Sequence, residues 1–246
     1  MHQSSLPRVS PCPRAGSLIA AWLVVLFFGS GSAALVCELV WLQLLQLSLG
    51  SSAISVAVLL ASFMGGMCLG SLLLPRWVPV AWHPLRVAAG LELGLVACGA
   101  FVLWGAPAIG GLYDRLALAG YPGIIGRGMV AAVCLLPPTM LMGATLPAVA
   151  RWTRTQTDGE VWLGRCYAAN LGGGVAGCLL TAFWLLPRFD AGTAALVAMA
   201  MHLAVAAGAG WLALCSRYEP APVRPEAGLA VPGGIALAIA VSGGTA

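Results

Sequence analysis

The sequence contains no lysine. Its 12 basic residues are all arginine, set against 8 acids, and charged residues fill only 8% of the 246 positions. A soluble globular domain carries about 25% charged residues, so that class is excluded. The arginines stand singly along the chain, with no basic cluster to form a nucleic-acid surface. Disulfide and metal frameworks are missing too. The eight cysteines (Cys12, Cys37, Cys68, Cys98, Cys134, Cys166, Cys178 and Cys215) fall about one per hydrophobic segment, with no C-x-x-C and no Cys/His cluster. That spacing fits small apolar helix residues rather than a metal or redox centre. There is no haem, flavin or quinone motif, so no cofactor is expected. What fills the chain instead is apolar: 60% of residues are hydrophobic and 32 are glycine.

A bilayer crossing takes roughly 20 apolar residues. Hydrophobic runs divided by Arg, Pro and Gly predict spans at 17–40, 51–74, 87–109, 128–150, 167–187 and 193–214. The expected fold is therefore an all-α integral membrane protein with six transmembrane helices and the start of a seventh. Residues 1–16 form an N-terminal tail, 17–214 the six-helix domain, 215–232 a Pro-rich loop and 233–246 an incomplete helix. The first run is too long for a signal-peptide core and has no A-x-A-like cleavage site, so it is retained. The last run, "GGIALAIAVSGGTA", is too short to cross a bilayer. Its "VSGGTA" aligns with "GSGSAA" at 29–34, matching at three of six positions, all small residues. A second six-helix repeat that has just begun is the simplest account, and the expectation is that the chain is the front part of a longer protein.

Arginine counts in the short loops set the orientation. Arg8, Arg14, Arg76, Arg86, Arg151, Arg154, Arg165, Arg217 and Arg224 fall on one side, and Arg115, Arg127 and Arg188 on the other. Nine against three places the N-terminus in the cytoplasm of a bacterial cell, with the chain crossing its inner membrane. The loop 113–126 and Glu38 then lie near or on the far side.

Several stretches taken together resemble a known family. "SGSAALVCELVWLQLLQLSLGSS", "ASFMGGMCLGSLLL", "PLRVAAGLELGLVACGA", "LLPPTMLMGATLPAVAR" and "LGRCYAANLGGGVAGCLLTAFWLLP" are similar to the membrane part of bacterial fused spermidine synthase-like proteins. The resemblance covers about residues 20–215. It implies one major facilitator-like half, a polyamine-related substrate and a soluble aminopropyltransferase-like domain. That enzyme domain has no counterpart here. "LGGGVAG" at 171–177 is Gly-rich but sits inside an apolar span, without the strand and following acid of a nucleotide fingerprint. The loop after the second helix, "GSLLLPRWVPVAWHPLR", keeps the arginines of the major facilitator pattern and lacks its aspartate.

The polar residues inside spans are few: Glu38, Glu92, Asn170, Thr181 and His202. A charge at mid-bilayer costs roughly 2.5–3.5 kcal/mol on insertion scales, so each residue is a functional candidate. Glu38 has no basic residue within twenty positions on either side. It either bonds Gln43 or Gln46 as a structural acid, or faces an interhelical cavity and binds a cation or proton. Trp41 shares its helical face and offers a cation–π contact. Glu92 is either neutralised by Arg86 or Arg76, or belongs to the same cation site. Asn170 needs amide partners in hydrocarbon. His202 reads as a hydrogen-bonded packing residue before a relay. Glycines at 66 and 70, and at 173, 174 and 177, fall at helix-packing spacings. Pro137 and Pro138 are expected to free the carbonyls of Val133 and Cys134, either in a broken helix beside a cavity or in a plain kink.

Two functional readings remain open. In one, Glu38, Trp41, Glu92 and Asn170 bind a small cationic amine. In the other, the chain is a non-transporting anchor for an aminopropyltransferase-like enzyme it does not contain, and its acids are structural. The expected partners are the lipid bilayer, a small amine, and a second copy or missing second half, since two-repeat transporters place their site between halves.

Overall fold

The computed structural model describes residues 13–49, 53–118, 123–156, 158–216 and 218. Among these the chain is helical, with no strand. The helices are α1 (Pro13–Leu49), α2 (Ala53–Trp77), α3 (Pro84–Leu118), α4 (Gly123–Thr153) and α5 (Gly159–Leu180). After α5 comes a π-helical turn at Thr181–Leu185, then the short α6 (Leu186–Arg188) and α7 (Ala191–Cys215). Five stretches of the described residues are long and apolar enough to cross a bilayer: 18–44, 84–105, 132–153, 159–188 and 191–215. The expected second span is the 25-residue helix α2, which is not one of these five. The seventh-helix expectation, at 233–246, lies outside the described residues.

The helices run past the predicted span ends, which corrects one expectation. The loop expected at 113–126 is mostly helix, because α3 continues to Leu118 and α4 starts at Gly123. "YDRLAL" at 113–118 holds no Gly or Pro to end the helix earlier. The helix α1 continues eleven residues beyond Glu38, to Leu49.

Packing follows the small residues. The largest contacts join α1 to α5 and α2 to α4, and α3 packs on both α7 and α4. On the α1–α5 seam, a Cβ at Gly173 would collide with the Phe28 carbonyl, and one at Gly177 with the Ser32 carbonyl. On the α2–α4 seam, Gly66 abuts the Thr139 side chain, Gly70 the Met140 carbonyl and Gly143 the Met67 backbone. Without a hydrophobic driving force between helices in lipid, this close backbone approach supplies the association energy.

Local irregularities have identifiable causes. Pro187 has no N–H for the carbonyl of Phe183 four residues back. The Arg188 guanidinium donates to that carbonyl at 3.3 Å, and the chain widens into the π turn just before the proline. Thr181 is fully buried at the start of the turn, its hydroxyl on the Gly177 carbonyl at 2.8 Å. The helix α4 stays continuous through Pro137 and Pro138, so it is not broken there. The Thr139 hydroxyl beside them donates to the carbonyls of Leu135 (2.8 Å) and Leu136 (3.0 Å).

One end of the bundle is tied by polar contacts. The His83 ring caps α3 by accepting from the Leu85 N–H at 3.3 Å, while its Nε2 meets the Ser216 carbonyl at 3.1 Å. Arg151 donates to the Val78 carbonyl at 2.9 Å, and the Tyr218 hydroxyl to the Val80 carbonyl at 3.2 Å. The α2–α3 connection is thus fastened to both α4 and the end of α7.

Candidate functional site

The stripe Ser30, Gly31, Ala34, Leu35 and Glu38 follows helical spacing along α1. It forms one wall of a cavity of about 460 Å³. Asn170, Gly174 and Cys178 of α5, Phe63 and Met67 of α2, and Met142 and Thr145 of α4 supply the other walls. Glycines at 31 and 174 leave the helices close on one side, and the larger side chains of α2 and α4 hold the space open on the other. Glu38 is the one charged residue on this wall. Neither Glu38 nor Asn170 has a hydrogen bond from its side chain to any described residue. The Gln43 side chain is exposed and makes no bond to Glu38, and the Gln46 side chain lies outside those described.

Glu38 and Asn170 share the cavity without touching at one point of it. Asn170 abuts Gly31, seven residues before Glu38 on α1. At 1.5 Å per residue that separates them by about 10 Å along the helix. The cavity is therefore elongated, with a carboxylate toward one end and an amide toward the other.

Trp41 is not part of this wall. It is 4% exposed and packs in a cluster with Val36, Val40, Leu135, Leu185 and Ala194. Three residues on from Glu38 is a rotation of about 60° around the helix, enough to turn the indole into the core. The expected cation–π contact at Glu38 has no geometric basis here.

Glu92 is paired, but not with an arginine. Its Oε2 lies 2.6 Å from His202 Nδ1, and its Oε1 accepts from the Ser30 hydroxyl at 2.5 Å. All three residues are buried, Glu92 at 2% exposure and His202 at 0%. Arg76 instead donates to the Leu72 carbonyl, and Arg86 is exposed at the start of α3. The reason is topological: Glu92 sits two turns into α3, on the face packed against α7, and α7 carries the histidine. His202 is thus hydrogen-bonded, as expected of a packing residue, but its partner was not foreseen. Ser30 links the two groups, because it binds Glu92 and also lines the cavity.

Among the described residues no three His, Cys, Asp or Glu side chains gather into a metal-binding set. The seven described cysteines are unpaired thiols, and Cys12 lies outside the described residues. The chain matches no family model, and no curated protein or solved structure shows significant similarity to it.

Proposed function

We propose that the chain is a six-helix domain of the bacterial inner membrane, N-terminus cytoplasmic, that binds a small elongated cationic amine in the cavity between α1, α2, α4 and α5. The observation that carries this reading is Glu38: a carboxylate with no hydrogen-bond partner among the described residues, on the wall of a cavity otherwise lined by apolar and neutral described residues. An ammonium group there gains a charge-assisted hydrogen bond, the stronger class of such contacts. Asn170, about 10 Å along the groove, offers a neutral acceptor to a second amine nitrogen. An elongated occupant suits this spacing better than a compact monoamine. The polyamine class itself comes from the resemblance to spermidine synthase-like fusion proteins, which also suggests a major facilitator-like half and a partner half or second copy.

The test is equilibrium binding of labelled spermidine to the full chain in lipid nanodiscs. Glu38→Gln should weaken binding about tenfold or more, the worth of one hydrogen bond to a charged group. Equal binding by both proteins, or none by either, removes the amine site and leaves the membrane anchor.

A further inference from the structure

We propose that Glu92 and His202, bridged to the cavity wall by Ser30, form a buried proton-binding site that changes its charge inside the membrane domain. The proposal rests on the geometry of this cluster and not on what occupies the cavity. Both carboxylate oxygens are engaged, Oε1 by the Ser30 hydroxyl at 2.5 Å and Oε2 by His202 Nδ1 at 2.6 Å. Among the described residues no arginine pairs with the cluster, and the ion-pair partner of Glu92 is His202, so the proton itself is the counter-charge.

The cluster has two charge states with the same heavy-atom contacts. With one proton on the imidazole at Nδ1 and none on the carboxyl, the pair carries one negative charge. Uptake of a proton from water makes it neutral overall, either as imidazolium with carboxylate or as imidazole with carboxylic acid. In both neutral forms Nε2 bears an N–H, while the other proton stays in the short contact between Nδ1 and Oε2, on the nitrogen in the first form and on the oxygen in the second. No covalent bond other than N–H or O–H forms or breaks.

The second observation is His202 Nε2. It is one of two buried side-chain nitrogens with no hydrogen-bond partner among the described residues, the other being Trp152 Nε1. An indole nitrogen only donates. An imidazole accepts a proton at one nitrogen and releases one from the other. A purely structural pair accounts for the Nδ1 contact and leaves the buried Nε2 unexplained. A proton site uses both nitrogens.

The groups around the cluster are few. From α1 the Ser30 hydroxyl donates to the carboxylate, and the Cys37 thiol lies within range of its charge. From α7 there is His202. On α4, which packs along α3, the only titratable group between 128 and 150 is the Cys134 thiol. Glu38 is eight residues from Ser30 on the same stripe of α1, about 12 Å along its axis. The change of charge is therefore delivered beside the cavity, through the Ser30 hydroxyl.

The experiment is nitrogen NMR of the full chain, labelled with ¹⁵N-histidine, in lipid bilayers across a pH series. The chain has three histidines, and His202→Gln assigns the signals of interest. The His202 ring nitrogens should shift with pH. Glu92→Gln should move the midpoint by about one pH unit or more, as expected for groups that titrate as a pair. Should that variant not fold, Glu92→Asp keeps the carboxyl but draws it back by one methylene, and should move the midpoint as well. Ring shifts in the wild type that stay constant at every pH where the helical circular dichroism is intact would overturn the proposal. So would a transition that neither Glu92 variant moves.

Discussion

Gly31 lies so close to Asn170 that a Cβ at position 31 would collide with the Asn170 backbone carbonyl. This contact seats α1 on α5 and fixes where the Asn170 amide stands relative to Glu38, seven residues further along α1. Packing glycine and candidate binding residue are thus neighbours, and substitutions must be chosen to separate them.

Gly177 and Gly173 permit that separation, since they face the Ser32 and Phe28 carbonyls. Leucine at either position meets backbone that cannot rotate away, so the cost should reach or exceed the ~1–3 kcal/mol of ordinary overpacking. Gly177→Leu should sharply lower the monodisperse yield in detergent. Gly210→Ala, at a position with open space, should leave it unchanged or slightly raised. Glu38→Gln should also leave yield nearly unchanged, because it keeps the shape and removes a charge from the membrane interior. Size-exclusion profiles of the three variants decide the matter.

Asp190 caps α7, accepting from the Gly192 N–H (2.9 Å), the Thr193 N–H (3.2 Å) and the Thr193 hydroxyl (2.6 Å). These bonds, those from Thr193 foremost, hold its carboxyl below the ordinary aspartate value of 3.8. A lowered folded-state value contributes stability above the unfolded value, and the contribution is lost as pH falls through the folded one. The wild type should therefore lose thermal stability below about pH 4 more steeply than Asp190→Asn, which caps without titrating. Melting curves at pH 3 to 6 in detergent test this.

The nine-to-three arginine division predicts opposite sides for the two short connections at residues 119–122 and 154–158. A reporter active only outside the cytoplasm should work when fused after Gly120, and a cytoplasmic one when fused after Gly159. The reverse pairing would invert the orientation and place the His83–Ser216 end of the bundle outside the cell.

The sequence made the helical runs legible, because long apolar stretches have few other solutions. It also marked the glycines of both seams, since Gly66 and Gly70, or Gly173 and Gly177, recur at one-turn spacing. Their partners were not legible. Nothing in the sequence says that α1 meets α5, so Phe28 and Ser32 drew no notice. The same blindness misassigned Glu92. Arg86 is nearer in sequence, but α3 packs on α7, and the residue opposite is His202, 110 positions away. Ser30 was missed for a different reason, since a serine among small residues looks like packing until its carboxylate partner is known. Trp41 was misplaced because three residues along a helix stay near one face without sharing one contact. Pro187 does stand in the sequence as a sign of the irregular turn at Thr181–Leu185, because a proline that far into an apolar run leaves a carbonyl to be satisfied.

The central claim, that the Glu38 cavity takes a cation, is tested most directly by calorimetric titration of the full chain in nanodiscs with spermidine at two pH values. Proton and amine compete for one carboxylate, so wild-type affinity should fall as the pH is lowered. Glu38→Gln should bind about tenfold or more weakly at the higher pH and show little dependence on pH, while Asn170→Ala should weaken binding yet keep that dependence. Wild type and Glu38→Gln binding equally well at both pH values, or neither binding at all, would contradict the account.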